Sequence, residues 1–166
     1  MIEIFSAGDL KIISAGEDDP DLQSVFFRSE VREFLSEIHS YQQPMPLEFT
    51  YKILHKGKLA GRLSFKSIRW FNRKAEISIA IIPEFQKQGI GSRVLQQALS
   101  YAFTVLNLHR LEAEVVQYNQ RGIHLFKNSG FKEEGRLREA RFYKGDYYDI
   151  IRFGILKKEY LSLQNG

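Results

Sequence analysis

The stretch Ile81-Ile82-Pro83-Glu84-Phe85-Gln86-Lys87-Gln88-Gly89-Ile90-Gly91-Ser92 stands between two patterns of different period. Before it, Ala75-Glu76-Ile77-Ser78-Ile79-Ala80 alternates and then turns fully apolar, which reads as a central, buried strand. After it, Val94, Leu95, Ala98, Leu99, Ala102, Phe103 and Leu106 form one stripe while Arg93, Gln96, Gln97 and Ser100 face away, which predicts an amphipathic helix from Ser92 to Leu106. Two glycines at such a junction let backbone approach a ligand closely. The helix that follows directs free N–H groups and its positive dipole end at the same place, so a diphosphate is the natural guest. Two common phosphate motifs fail here. There is no Gly-x-x-x-x-Gly-Lys-Ser/Thr run, and the third glycine of a dinucleotide fingerprint would fall on Val94. What remains is Gln-x-x-Gly-x-Gly, a pattern that a plain strand-to-helix turn also satisfies.

Downstream, Leu111 to Val116 predicts a strand, Asn119 a cap for a helix with Ile123 and Phe126 on its apolar side, and Gly130 that helix's C-terminal glycine. Strand, helix, strand implies a parallel crossover inside an otherwise antiparallel sheet. Upstream, Phe49 to His55 and Leu59 to Ile68 read as a hairpin turning at Lys56-Gly57-Lys58. A last β pair, Arg138 to Tyr143 and Tyr147 to Leu156, turns at Lys144-Gly145-Asp146. At the start, Leu10 to Ser14 reads as a strand and Asp18-Asp19-Pro20 as a helix entry. Leu22 to Ile38 is helical in one piece or two, closed by Pro44 and Pro46.

A chain of 166 residues is near the usual size of one domain, and one domain is expected. It can bury roughly 70% of its unfolded surface without a metal or disulfide staple. With no cysteine, thiol nucleophiles, Cys-ligated zinc and iron–sulfur clusters are excluded. Neither an apolar leader nor a run of membrane-spanning length is visible, so a cytoplasmic protein with no membrane partner is expected. The 24 Lys+Arg against 20 Asp+Glu give a net charge of +4, which suits either a basic solvated surface or attraction of anions. No nucleic-acid motif accompanies that charge, and an RNA-associated adaptor is the weakest reading of it.

Taken together, Ile81 to Gly91, Asn119 and Asn128-Ser129-Gly130-Phe131 resemble the GNAT superfamily of acyl-CoA-dependent N-acyltransferases over roughly residues 48 to 157. The resemblance implies a mixed α/β fold: a mostly antiparallel seven-stranded sheet with flanking helices and a parallel pair, 74–82 and 110–116, splayed at its C-terminal ends. It also implies acetyl-CoA as cosubstrate and no metal. The backbone of Ile81 and Ile82 would then position the thioester. Gln86, Lys87 and the amides of Gln88, Gly89, Ile90, Gly91 and Ser92 would hold the diphosphate, Asn119 would contact the cofactor, and Lys127 could reach an adenosine phosphate. Glu134-Gly135-Arg136-Leu137-Arg138 and Gly145-Asp146-Tyr147-Tyr148-Asp149 are similar to the branch with ribosomal-protein N-terminal, spermidine and some amino-sugar acetyltransferases. The acceptor is therefore expected to be a primary amine of a peptide, polyamine or amino sugar, and a homodimer would be in keeping with the family.

An alkylammonium near pKa 10.4 is neutral in only about one molecule in a few thousand at pH 7, so a base must take its proton. Glu76 on the central strand is the first candidate, with Glu112 and Glu114 on the next strand behind it. Alternation puts Glu76, Ser78 and Ala80 on one face, and Glu112 and Glu114 also share a face. Many GNAT enzymes carry a Tyr where this chain has Phe126, so protonation of the departing thiolate would fall to Tyr118, Tyr143 or water. Of the histidines only His124 lies close to the expected cofactor edge. With neither Cys nor a Ser-His-Asp order, direct transfer is expected rather than an acyl-enzyme. A non-catalytic acyl-CoA sensor is the alternative that Phe126 raises.

Overall fold

The computed structural model describes residues 3–7, 10–13, 20 and 45–164. The helix expected over Leu22 to Ile38, its entry at Asp18-Asp19 and Pro44 lie outside them. Near the start, β1 (Glu3–Ala7) and β2 (Leu10–Ile13) pair antiparallel as a two-stranded sheet of their own.

The larger sheet holds β3 (Phe49–His55), β4 (Lys58–Arg69), β5 (Lys74–Ile81), β6 (Arg110–Val116), β7 (Lys132–Tyr143) and β8 (Asp146–Leu156), in the order β3-β4-β5-β6-β8-β7. Among the described residues it therefore has six strands, not the seven expected, because Leu10–Ile13 pairs with Glu3–Ala7 instead of joining it. All its neighbours are antiparallel except β5 and β6, whose crossover runs through α1 (Ile90–Ser100). That helix ends earlier than its apolar stripe: a π turn over Tyr101–Val105 continues it, closed by Leu106 N–H to Tyr101 O at 3.0 Å. The wider turn keeps Ala102 and Phe103 in the core.

Asn119 starts α2 (Gln120–Asn128) by accepting from Gly122 N–H at 3.0 Å. Gly130, at φ +88°, ends it, and Phe131 N–H returns to Phe126 O at 3.1 Å. A short α3 (Lys157–Gln164) closes the described chain. Phe65, Ile77, Leu95, Phe103, Leu111, Phe153 and Ile155 are fully buried in one core that joins these helices to one face of the sheet. Strand alternation sends Lys66, Glu76, Glu112, Glu114 and Arg152 to the opposite face.

The parallel ladder is short. Only Lys74↔Arg110, Ala75↔Leu111 and Glu76↔Glu112 pair, while β5 runs on to Ile81 and β6 to Val116. The two middle strands therefore part toward their C-terminal ends, as the resemblance implies. The direction of the freed backbone groups follows from the ladder on the other side. Ile82 N–H donates to Ala60 O at 2.9 Å, so in the antiparallel pairing of β4 with β5 the alternate residues Ile79 and Ile81 turn their N–H and C=O toward the gap.

Candidate functional site

The gap opens into a cavity of about 870 Å³ walled by the end of β5, the loop after it, the first turn of α1 and the length of α2. After a single 3₁₀ turn over Pro83–Phe85, Lys87 (φ 60°) and Gly89 (φ 72°) both take the left-handed conformation, which turns successive N–H groups to one side. Gly89 is the N-cap of α1 and offers no side chain to its first turn. The first helical bond is Arg93 N–H to Gly89 O at 3.2 Å, so the N–H groups of Ile90, Gly91 and Ser92 have no partner inside the helix. A Cβ on Gly91 would stand 3.7 Å from Leu125 Cδ2 and 3.9 Å from Ile81 Cγ1, narrowing the cleft between strand and helix.

Two helix N-termini thus face one space. Lys87, Arg121, His124 and Lys127 lie on its wall, and among the described residues that wall carries no carboxylate. The donor set fits a polyphosphate anion.

Of the residues singled out from the sequence, Ile81, Gln86, Lys87, Gly89, Ile90, Gly91, Ser92, Asn119 and Lys127 come together on this wall. Ile82 and Gln88 do not. The Ile82 N–H is committed to β4, so the strand residue that joins Ile81 at the gap is Ile79; the Gln88 side chain turns away, its Nε2 donating to Glu84 O at 2.9 Å. Asn119 spends its side-chain oxygen on the α2 cap, which leaves Nδ2 for a ligand. Lys127 Nζ is 3.0 Å from Glu133 Oε2. His124 Nε2 lies 2.8 Å from Asn128 Nδ2. Arg121 went unnoticed in the sequence; its Nη1 donates to Gln86 Oε1 at 2.6 Å, and Gln86 Nε2 donates in turn to Ile81 O at 2.8 Å.

On the opposite face of the sheet a second, smaller cavity of about 190 Å³ gathers Glu76, Glu112, Glu114 and Glu134 with Arg110 and Arg152. Three of these carboxylates are paired. Glu112 accepts from Arg110 Nε at 2.8 Å, Glu134 from Arg110 Nη1 at 2.8 Å, and Glu114 from Arg152 Nε at 2.9 Å. The Glu76 side chain makes no hydrogen bond or ion pair among the described residues. Burial, then Glu114 and Glu112, raise its proton affinity above that of an ordinary carboxylate, against the pull of Lys66 and Arg152. Of the four, Glu76 is the carboxylate free to accept a proton, and it stands where the ladder stops.

A family profile described as an acetyltransferase (GNAT) domain matches residues 3–151. The spermidine N(1)-acetyltransferase of Vibrio cholerae serotype O1 is 33% identical over 158 residues, covering 93% of this chain and 91% of its own. That of Escherichia coli K12 is 30% identical over 156 residues, covering 93% and 84%. Among solved structures, the spermidine/spermine N-acetyltransferase SpeG from Vibrio cholerae, in complex with manganese ions, superposes with a TM-score of 0.68 at 36% identity, over 70% of this chain and 69% of that one. The chain belongs to the GNAT acetyltransferase family.

GNAT acetyltransferases use acetyl-CoA, a phosphate-bearing donor of the kind the cavity's cations and helix N-termini suit. With enzymes as its relatives, the sensor alternative is not favoured. No three His, Asp or Glu side chains among the described residues converge as a metal site would need, and no helix there is long and apolar enough to cross a membrane. The two aromatic positions that bear on a GNAT proton donor fall outside the cavity wall. Phe126 is 6% exposed and packs on Phe131 at 5.0 Å and Phe153 at 6.1 Å. Tyr118 is 48% exposed, with its ring edge-on to Tyr148 at 4.9 Å and tilted against Tyr143 at 6.1 Å.

Proposed function

We propose that this GNAT enzyme transfers acetyl from acetyl-CoA directly to a primary amine of a polyamine. The observation that carries the reading is the break in the ladder after Glu76 and Glu112, with a cavity on the helix side whose described wall is cationic and without carboxylates, and a carboxylate-rich one on the other. An anion and a polycation would thus approach the same gap from opposite faces. The spermidine acetyltransferases among the relatives favour a polyamine over a peptide or amino sugar.

When bound, acetyl-CoA supplies an activated thioester. Lys87, the N–H groups at the start of α1, Asn119 and Lys127 would hold its phosphates. The Ile79 and Ile81 backbone, turned into the gap, would hold the acyl arm by main-chain hydrogen bonds in place of a neighbouring strand. Glu76 takes the proton from the incoming ammonium, a task for which its raised proton affinity brings it nearer neutral pH. The thiolate is a tolerable leaving group, with thiols near pKa 8.5, so water suffices as its proton source and much of the rate comes from holding amine and thioester together.

The test is acetyl-CoA turnover on spermidine, a peptide amine and an amino sugar, read as thiol release. Spermidine should be the best substrate of the three. Turnover confined to the peptide or the sugar would overturn the acceptor assignment, and turnover on none the whole reading.

A further inference from the structure

The proposed site contains a cation to which neither the family pattern nor the sequence drew attention. Arg121 is the second residue of α2, in the first turn, where the helix dipole disfavours positive charge. Its described hydrogen bond is to a neutral acceptor, Gln86 Oε1, and it makes no ion pair among the described residues. Arg110, Arg136 and Arg152, by contrast, all lie against carboxylates. A guanidinium has five N–H donors, and Arg121, an exposed residue on the wall of the cavity, spends one of them on Gln86. A cation placed at a positive helix end, next to a second helix N-terminus and on a wall with no described carboxylate, is arranged for an anion that arrives from solution.

Gln86 gives the arrangement its geometry. Its Nε2 is fixed on the Ile81 carbonyl at 2.8 Å, so its Oε1 can hold Arg121 only in one place relative to the end of β5. From this, and resting on the acetyl-CoA reading above, we propose that Arg121 is a ligand of the donor's diphosphate, with Gln86 as its positioning residue. The Arg121–Gln86–Ile81 relay then sets the span between the phosphate-holding end of the site and the strand end that holds the acyl arm.

The test compares the full-length protein with R121Q and R121K by calorimetric titration of CoA at low and high potassium chloride. Thermal unfolding serves as a check that the exposed substitutions leave the fold intact. R121Q should weaken CoA binding by about tenfold or more, the worth of a charge-assisted hydrogen bond, and make the affinity less sensitive to salt. R121K should keep the salt sensitivity while losing part of the affinity, because a point charge replaces a fork. An unchanged CoA affinity in R121Q would overturn the proposal. So would a loss of equal size in R121Q and R121K with the salt sensitivity of the wild type retained, which would mark Arg121 as a strut for Gln86 alone. Absence of CoA binding by the wild type is a separate outcome that removes the acetyl-CoA reading itself.

Discussion

Glu76 and Glu112 are partners in the last rung of the parallel ladder between β5 and β6, and of the two only Glu112 has cations in contact, Arg110 at 2.8 Å and Lys74 at 3.7 Å. The unneutralised member holds its proton more tightly in the folded chain than in the unfolded one. A carboxyl shifted upward contributes stability below its unfolded pKa, and that contribution is lost as pH rises through the folded value. Glu76→Gln should therefore be more stable than the wild type at neutral pH and lose that advantage in acid, read as urea midpoints across pH. If Glu76 is the base, the same substitution also removes the acidic limb of the kcat/KM profile. An unaltered limb would exclude it.

Gly89 is held at φ 72°, and a Cβ there would meet nothing within 4 Å. Gly89→Val should lose about 1–3 kcal/mol of stability from backbone strain alone. It should also bind CoA far more weakly, because the side chain projects into the approach to the α1 amides. Lys87, at φ 60°, tolerates the opposite experiment. Asparagine accepts the left-handed conformation, so Lys87→Asn should leave the unfolding midpoint unchanged or slightly raised while lowering CoA affinity.

Glu134 on β7 reaches over β8 to Arg110 on β6, crossing above Gly154, where a Cβ would collide with the carboxylate. The far end of the flexible Glu134 side chain can swing aside, so Gly154→Ala should cost no more than about 1 kcal/mol, the worth of the part-exposed pair with Arg110 that the swing breaks, and should cost nothing further in a Glu134→Ala background. Arg110 holds the Glu134 carboxyl below its ordinary pKa. Its contribution is therefore present above the unfolded value and fades as pH falls, a dependence that Glu134→Gln should abolish.

Tyr118 rests against Tyr143 and Tyr148 outside the cavity. Tyr118→Phe keeps those ring contacts and should lower kcat less than about threefold, since the thiolate is a tolerable leaving group. A tenfold fall in kcat at constant KM for acetyl-CoA would place its hydroxyl at the leaving sulfur.

The parallel pair and the turn between β5 and α1 could be read directly from the residues. Ile77, Ile79 and Ile81 alternate with Glu76, Ser78 and Ala80, and the change of period across Gln86 to Ser92 coincides with the first turn of α1. The start of β7 could not, because all twelve of its residues are exposed and Lys132 to Leu137 show no alternation to find. Arg121 escaped for a related reason. Its importance lies in the contact with Gln86, 35 positions away in the chain, and local pattern holds no record of such a meeting. Tyr118 and Phe126 show the limit from the other side. Their spacing from Asn119 was plain, but which way each ring turns is settled by Phe131, Phe153 and Tyr148.

A sheet that stops pairing halfway along its two middle strands carries a seam that no described strand closes. The amides of Ile79 and Ile81 on that seam should exchange with deuterium much sooner than that of Ile77, which lies beside the paired rungs. Once a guest zips the seam, those same amides should slow sharply and the whole molecule should melt later, so that occupancy of the enzyme can be read from its heat tolerance.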